Sequence, residues 1–303
     1  MKIEMTGDVS VLDAFFDANR SLALAVCSGG VRHAYTGGAM AYLKRKRLRE
    51  RFAAFAGVSG GIGTIVNFAG GGKAPSIRIF SDDMSDRRLF SRRRRFFGKY
   101  PFNVDHLDDV FTYGVTGRAF DYDAAVSQPA PIFAVLGCPE TGESIIHRLR
   151  TPEDARMASV YGAAVTGLSR PCYFHGRPVT DGFFTKDILP VRFLHEQTGV
   201  TDVLVFAGGA RLEQQSKWSR RIEAFAYWSG FARANATVRK LIASREERFT
   251  AEVEAVTTKN TPRVLVIWMP VEVPVLRIPR PQSRELIRMG WQTMKELLKG
   301  RGP

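Results

Sequence analysis

Two short apolar runs near the start of the chain, Leu22 to Cys27 (LALAVC) and Phe52 to Ala56, each end in a cluster of small residues followed by a stretch long enough for a helix. The first passes through Ser28-Gly29-Gly30 into His33 to Arg51. The second passes through Gly57-Val58-Ser59-Gly60-Gly61 into IGTIVNFAGGG, where Gly70 to Gly72 stop the helix. A strand, glycine turn and helix used twice in succession restrict the chain to α/β architectures, because strands joined this way are parallel and need helices on both sheet faces. Pro131 to Gly137, Ser144 to Arg148, Asp202 to Ala207 and Arg263 to Met269 are further Val-, Ile- and Phe-rich runs. They alternate with amphipathic stretches at Glu153 to Val165 and Trp218 to Glu254. Cys138 to Gly142 reads as a hairpin turn, so the mostly parallel sheet should contain an antiparallel pair. One domain over residues 1–303 is the economical expectation.

Composition narrows the class. Hydrophobic residues make up 45% and charged residues 24%, a balance that excludes disordered and collagen-like chains. No run of about 18 apolar residues predicts a membrane-spanning helix. The first twenty residues scatter acids where a secretory signal needs a basic start and an apolar run, so a cytoplasmic protein is expected. Cys27, Cys138 and Cys172, odd in number and widely spaced, read as core thiols and not as a disulfide or zinc framework.

Gly57-Val58-Ser59-Gly60-Gly61 fits G-x-S-x-G, which puts a serine on a sharp strand-to-helix turn with its hydroxyl projecting outward. A nucleophilic serine needs an oxyanion pocket and a base. The turn Ser28-Gly29-Gly30-Val31-Arg32 supplies the first, with unshielded backbone N–H groups at a helix start. A dinucleotide turn is disfavoured there, since G-x-G-x-x-G is absent. Two bases are open. Ser59, Asp181 and His195 stand in the chain order of an α/β-hydrolase triad, although only one strand precedes the elbow-bearing strand. Alternatively Asp181, in Thr180-Asp181-Gly182 after the extended Arg177 to Val179, takes the serine proton directly, provided burial raises its pKa. His106, His147 and His175 lack metal-ligand spacing and read as isolated surface or hydrogen-bonded residues. His33 adjoins the first turn and faces either the site or away from it.

Taken together, Ser28-Gly29-Gly30-Val31-Arg32, Gly57-Val58-Ser59-Gly60-Gly61 and Asp181-Gly182 resemble the patatin-like phospholipases, bacterial branch, with their G-G-G-x-R/K-G, G-x-S-x-G and D-G-G/A motifs. Arg156-Met157-Ala158-Ser159 and Ile188-Leu189-Pro190-Val191 are similar to the family's Ala-Ser helix and the proline after its D-G turn. Phe102 to Tyr113, Pro131 to Arg148 and Pro279 to Leu298 also resemble family segments. The resemblance implies a three-layer α/β/α patatin-like fold and a Ser-Asp dyad that cleaves carboxylic esters of phospholipid or lysophospholipid. Ser59 would be the nucleophile and Asp181 the proton acceptor. Gly29, Gly30, Val31 and Arg32 would form the oxyanion turn, Gly57 and Gly61 the elbow and Gly182 the D-G turn, with no cofactor and no metal. Ser28, His33 and Phe183 depart from the family's glycines or alanine. If positions 28 or 33 require positive φ, a side chain there is strained. The alternative is an inactive relative whose basic surface binds anionic membrane or nucleic acid.

That surface follows from 44 Lys+Arg against 30 Asp+Glu, a formal charge of +14. Much of the excess lies in KRKRLRER (44–51) and RRLFSRRRRFFGK (87–99). Phe90, Phe96 and Phe97 interleave with Arg92, Arg93, Arg94 and Arg95, a pattern suited to anionic lipid at a membrane interface. A peripheral position on the inner face of a membrane is therefore expected. No specific nucleic-acid partner is expected, because no nucleic-acid module is visible.

Overall fold

Side chains alternate across a strand, so a run such as LALAVC is buried throughout only if both sheet faces are covered. The computed structural model, which describes residues 3–71, 79, 82, 86–114, 119–209, 236–259, 261–274 and 278–301, has that arrangement. In chain order the elements are β1 (Glu4–Gly7), β2 (Leu22–Cys27), α1 (His33–Arg45), β3 (Phe52–Val58), α2 (Gly60–Ala69), α3 (Val104–Thr112) and α4 (Tyr122–Ser127). There follow β4 (Ile132–Gly137), β5 (Ser144–Arg148), α5 (Pro152–Tyr161), β6 (Cys172–Phe174), β7 (Arg177–Asp181), α6 (Val191–Thr198), β8 (Asp202–Ala207), α7 (Ala236–Ala243), α8 (Arg245–Thr257), β9 (Arg263–Trp268) and α9 (Arg280–Leu297). The sheet runs β1-β9-β8-β2-β3-β4-β7-β6, with β5 also paired to β4. Strands β9, β8, β2, β3 and β4 are mutually parallel, as expected, and the hairpin β4–β5 is antiparallel. Antiparallel β1, β6 and β7 complete the sheet.

Leu22, Leu24 and Val26 face a core shared with α1, α2, α3, α5 and α9. Ala23, Ala25 and Cys27 face a second core with α6, α7 and α8. Three layers result. Helix α9 seats on α1 where both helices are smallest: a Cβ on Gly38 would lie 2.0 Å from the Ile287 carbonyl, and one on Gly290 would lie 1.8 Å from that of Tyr35. The Tyr35 hydroxyl donates to Thr293 Oγ1 at 2.9 Å, locking the crossing.

Three expectations are corrected. The helix after the first glycine turn ends at Arg45 and not at Arg51. Beyond it Arg49 donates to the Ala69 carbonyl and Arg51 to those of Ala14, Phe15 and Asp17, so these two tie the segment down, while Arg45, Lys46 and Arg47 are exposed. The helix expected over Glu153 to Val165 ends at Tyr161. Cys138 is half-buried, whereas Cys27 and Cys172 are buried core thiols. Residues 218–235 of the expected amphipathic stretch lie outside the described residues. Among the described residues no helix is long and apolar enough to cross a membrane.

Candidate active site

Strand β3 ends in a turn that only small neighbours permit. Ser59 adopts φ 58° and ψ −137°, a sparsely populated conformation that costs about 1–3 kcal/mol and aims its hydroxyl away from the strand. A Cβ on Gly57 would sit 2.5 Å from Ile62 Cα, and one on Gly61 would sit 2.1 Å from the Val26 carbonyl. Backbone approach on both sides is therefore why glycines flank the serine at two-residue spacing. A Cβ on Gly60 would meet the His33 ring at 2.6 Å. His33 faces the elbow, fully buried, and burial lowers its pKa to about 3, so it packs as a neutral imidazole.

Sheet register brings Asp181 to this serine. Strand β3 covers one edge of β4 as far as Val58 opposite Val135. There β3 leaves for the elbow, and β7 takes over the vacated edge, with Asp181 opposite Leu136 and Thr180 opposite Gly137. Residue 181 thus stands just beyond the end of β3. Gly182 is required because a Cβ there would lie 2.2 Å from the Val135 carbonyl. Ser59 Oγ donates to Asp181 Oδ2 at 2.6 Å, and the Phe183 N–H donates to Asp181 Oδ1 at 2.8 Å. Burial pushes the Asp181 carboxyl up to about 7, against the opposing pull of these two hydrogen bonds.

The first glycine turn has positive φ at Ser28 (54°), Gly29 (127°) and Gly30 (50°). The strain anticipated at Ser28 is present, at about 1–2 kcal/mol for a residue with a Cβ. His33, at φ −60°, carries none. Gly29 is pressed against Gly208, whose Cα lies 2.8 Å from where a Cβ on Gly29 would stand. Gly30–Arg32 form a 3₁₀ turn leading into α1, and the first N–H groups of such a turn lack intrahelical partners. The Arg32 N–H is taken by the Gly29 carbonyl at 2.9 Å. Its side chain contributes otherwise: Nε donates to the Val273 carbonyl at 2.5 Å, bracing the turn from the segment after β9.

Ser28, Gly30, Ser59 and Asp181 line a single pocket, walled on its apolar side by Leu89, Phe102, Leu107, Phe111, Val165 and Leu168. Ser159 of the Ala-Ser helix and Phe183 also line it. His195 does not. It sits on α6 with Nδ1 2.8 Å from the Val200 carbonyl, so the triad geometry is not formed. Sequence reasoning missed Arg245 and Glu246, which enter the pocket from the start of α8. No motif marks them, since only tertiary packing brings α8 to the elbow.

The second basic cluster follows the pocket wall directly. Phe90 bridges to Phe102, and a 3₁₀ turn over Arg92–Phe97 carries Phe96 and Phe97 at 87% and 78% exposure. Arg93 is exposed, while Arg94 Nε donates to the Tyr100 carbonyl at 2.9 Å. The side chains of Arg92 and Arg95 lie outside the described residues. Two histidine expectations are corrected. His106 is buried on α3, and His147 and His175, expected to stand alone, come together.

Fold and site define a three-layer α/β protein whose central sheet delivers a buried serine onto a buried carboxylate at one strand edge. No protein-family model matches the chain, and neither does any curated protein. Among solved structures it is similar to VipD from Legionella pneumophila (TM-score 0.43, 13% identity, over 93% of this chain and 67% of that one). It is also similar to human GIVD cytosolic phospholipase A2 in complex with methyl gamma-linolenyl fluorophosphonate (TM-score 0.48, 12% identity, 95% and 60%). A third is ExoU of the Pseudomonas aeruginosa type III secretion system, solved with SpcU (TM-score 0.29, 12% identity, 82% and 59%). The chain thus spans between 59% and 67% of the length of these three.

Proposed function

We propose that the chain is a serine acyl-ester hydrolase of patatin-like type that cleaves phospholipid or lysophospholipid with a Ser59–Asp181 dyad. The observation that carries this reading is the 2.6 Å hydrogen bond from Ser59 Oγ to a buried carboxylate at the floor of an apolar pocket. Ser59 Oγ attacks the ester carbonyl carbon as its proton passes to Asp181 Oδ2. The oxyanion meets the N–H groups around Gly29, Gly30 and Val31, donors already oriented by the strained turn. Collapse breaks the ester C–O bond, and the leaving alcohol takes the proton from Asp181. A water then gives a proton to Asp181 and attacks the acyl carbon; the bond from that carbon to Ser59 Oγ breaks, Asp181 returns the proton to Oγ, and the fatty acid leaves. The apolar wall suits an acyl chain. A pKa near 7 suits the base, which must be ionised to accept a proton and protonated to return it. Phe96 and Phe97, exposed beside cations on the segment that leads to the pocket wall, form the surface that meets anionic lipid.

Covalent labelling by a fluorophosphonate tests the reading. The protein should take up one label per chain, and Ser59→Ala should take up none. A folded protein that resists the reagent, or a Ser59→Ala variant labelled equally well, overturns it.

A further inference from the structure

Away from the pocket, three side chains distant in sequence converge on one point. His147 lies on β5, Asp154 is the third residue of α5, and His175 with Gly176 forms the two-residue turn between β6 and β7. His175 Nε2 lies 2.7 Å from Asp154 Oδ1 and His147 Nε2 lies 3.8 Å from Asp154 Oδ2. None of the three ligating atoms is more than 4.8 Å from another. Asp154 is 5% exposed and its Oδ2 accepts the N–H groups of Arg150 and Thr151, both at 3.1 Å, so the carboxylate is fixed in place. The buried Phe174 ring sets both imidazoles, with centroids 4.9 Å from His147 and 4.5 Å from His175.

The turn itself is informative. His175 at φ 47° and Gly176 at φ 76° have the two left-handed residues of a type I′ hairpin, where Asn-Gly is the preferred pair. Histidine tolerates that conformation, and its ring is delivered over Asp154.

We propose that His147, Asp154 and His175 form a binding site for a divalent transition metal of the zinc class. Two imidazole nitrogens and one carboxylate oxygen suit Zn²⁺ and disfavour Mg²⁺ and Ca²⁺, which take oxygen ligands. Bonds of about 2.0–2.1 Å in tetrahedral geometry put ligand atoms about 3.3 Å apart. The 2.7 Å contact from His175 to Oδ1 must therefore lengthen by roughly half an ångström, and ligand atoms now up to 4.8 Å apart must draw together, which rotation of the partly exposed His147 and His175 side chains supplies. The His175 side chain is 54% exposed, so the ion enters from solvent and water completes its coordination. Bound metal would tie β5, the start of α5 and the β6–β7 hairpin together. The site is independent of the hydrolase reading.

The test uses untagged full-length protein, stripped with chelator and dialysed against Zn²⁺ or Co²⁺, with bound metal counted per chain and the Co²⁺ visible spectrum recorded. One equivalent with a tetrahedral Co²⁺ spectrum is expected. His175→Asn, which keeps a residue suited to the left-handed turn, and His147→Gln should each weaken affinity by at least about 100-fold. Ser59→Ala should bind as the wild type does. Failure of the wild type to retain metal overturns the site. So does unchanged affinity in either histidine variant once its circular dichroism shows it folded.

Discussion

On the proposed hydrolase reading, burial of Asp181 should make activity and stability respond to pH in opposite directions. The folded carboxyl holds its proton until about pH 7, whereas its ordinary value is 3.8. The folded state therefore binds the proton more tightly than the unfolded chain. Stability from this group is fully present below about pH 4 and is lost as pH rises through 7. At about 1.4 kcal/mol per pH unit, the difference amounts to roughly 4 kcal/mol at pH 8 and about 2 kcal/mol at pH 5. Asp181→Asn removes the charge while its amide oxygen can still accept the Phe183 N–H. Equilibrium unfolding in denaturant should find the variant more stable than the wild type by up to about 4 kcal/mol at pH 8, with the gap roughly halved at pH 5. Fluorophosphonate labelling should do the reverse. The wild-type rate should rise about tenfold per pH unit below 7 and level off above it, and Asp181→Asn should lose about 10⁴-fold or more. A folded variant less stable than the wild type by the same amount at both pH values would refute the burial account. A labelling rate without an inflection near 7 would refute the assignment of Asp181 as base.

Ser59→Ala should abolish ester hydrolysis while His195→Ala leaves most of it, measured as kcat/KM on a short soluble ester; equal losses would revive the triad. Gly61→Ala forces a methyl to within 2.1 Å of the Val26 carbonyl, so thermal unfolding should show a destabilisation of about 1–3 kcal/mol, with hydrolysis falling as the elbow shifts. Ser28→Gly relieves a positive φ and should raise stability by up to about 1 kcal/mol without loss of turnover; a large loss of turnover would give the Ser28 hydroxyl a role of its own. Replacing Arg93, Arg94, Phe96 and Phe97 by Ser should reduce binding to anionic vesicles and hydrolysis of vesicle substrate, steeply in low salt, while sparing the soluble ester.

Gly61 and Gly182 were legible in the sequence because they answer local demands, a backbone carbonyl about 2 Å from each absent Cβ. The parallel centre of the sheet was legible in its continuous apolar runs. Strand β1 was not: Glu4–Gly7 is polar and becomes a strand only by pairing with β9. Nor could spacing reveal that β7 inherits the edge of β4 vacated by β3, which is what brings Asp181 to Ser59. His147 and His175 lie 28 positions apart in the chain and meet only because a hairpin folds over the start of α5. Of the basic residues at 44–51, Arg45, Lys46 and Arg47 are exposed as composition suggested, whereas Arg49 and Arg51 bond backbone carbonyls that composition could not reveal.

The insertion of β2 between β3 and β8 sets the order in which the molecule can be completed during its own synthesis. Ser59 and Asp181 both emerge from the ribosome before β8 does. Yet the first glycine turn is pressed into shape by Gly208, immediately after β8, and braced by Val273 beyond β9. Until those residues emerge, Leu22–Cys27 lacks a neighbour on one edge and the turn lacks its backing. On the proposed hydrolase reading, an unfinished chain would carry nucleophile and base before the turn holding the oxyanion donors is backed, and would stay inactive until β8 and β9 are in place.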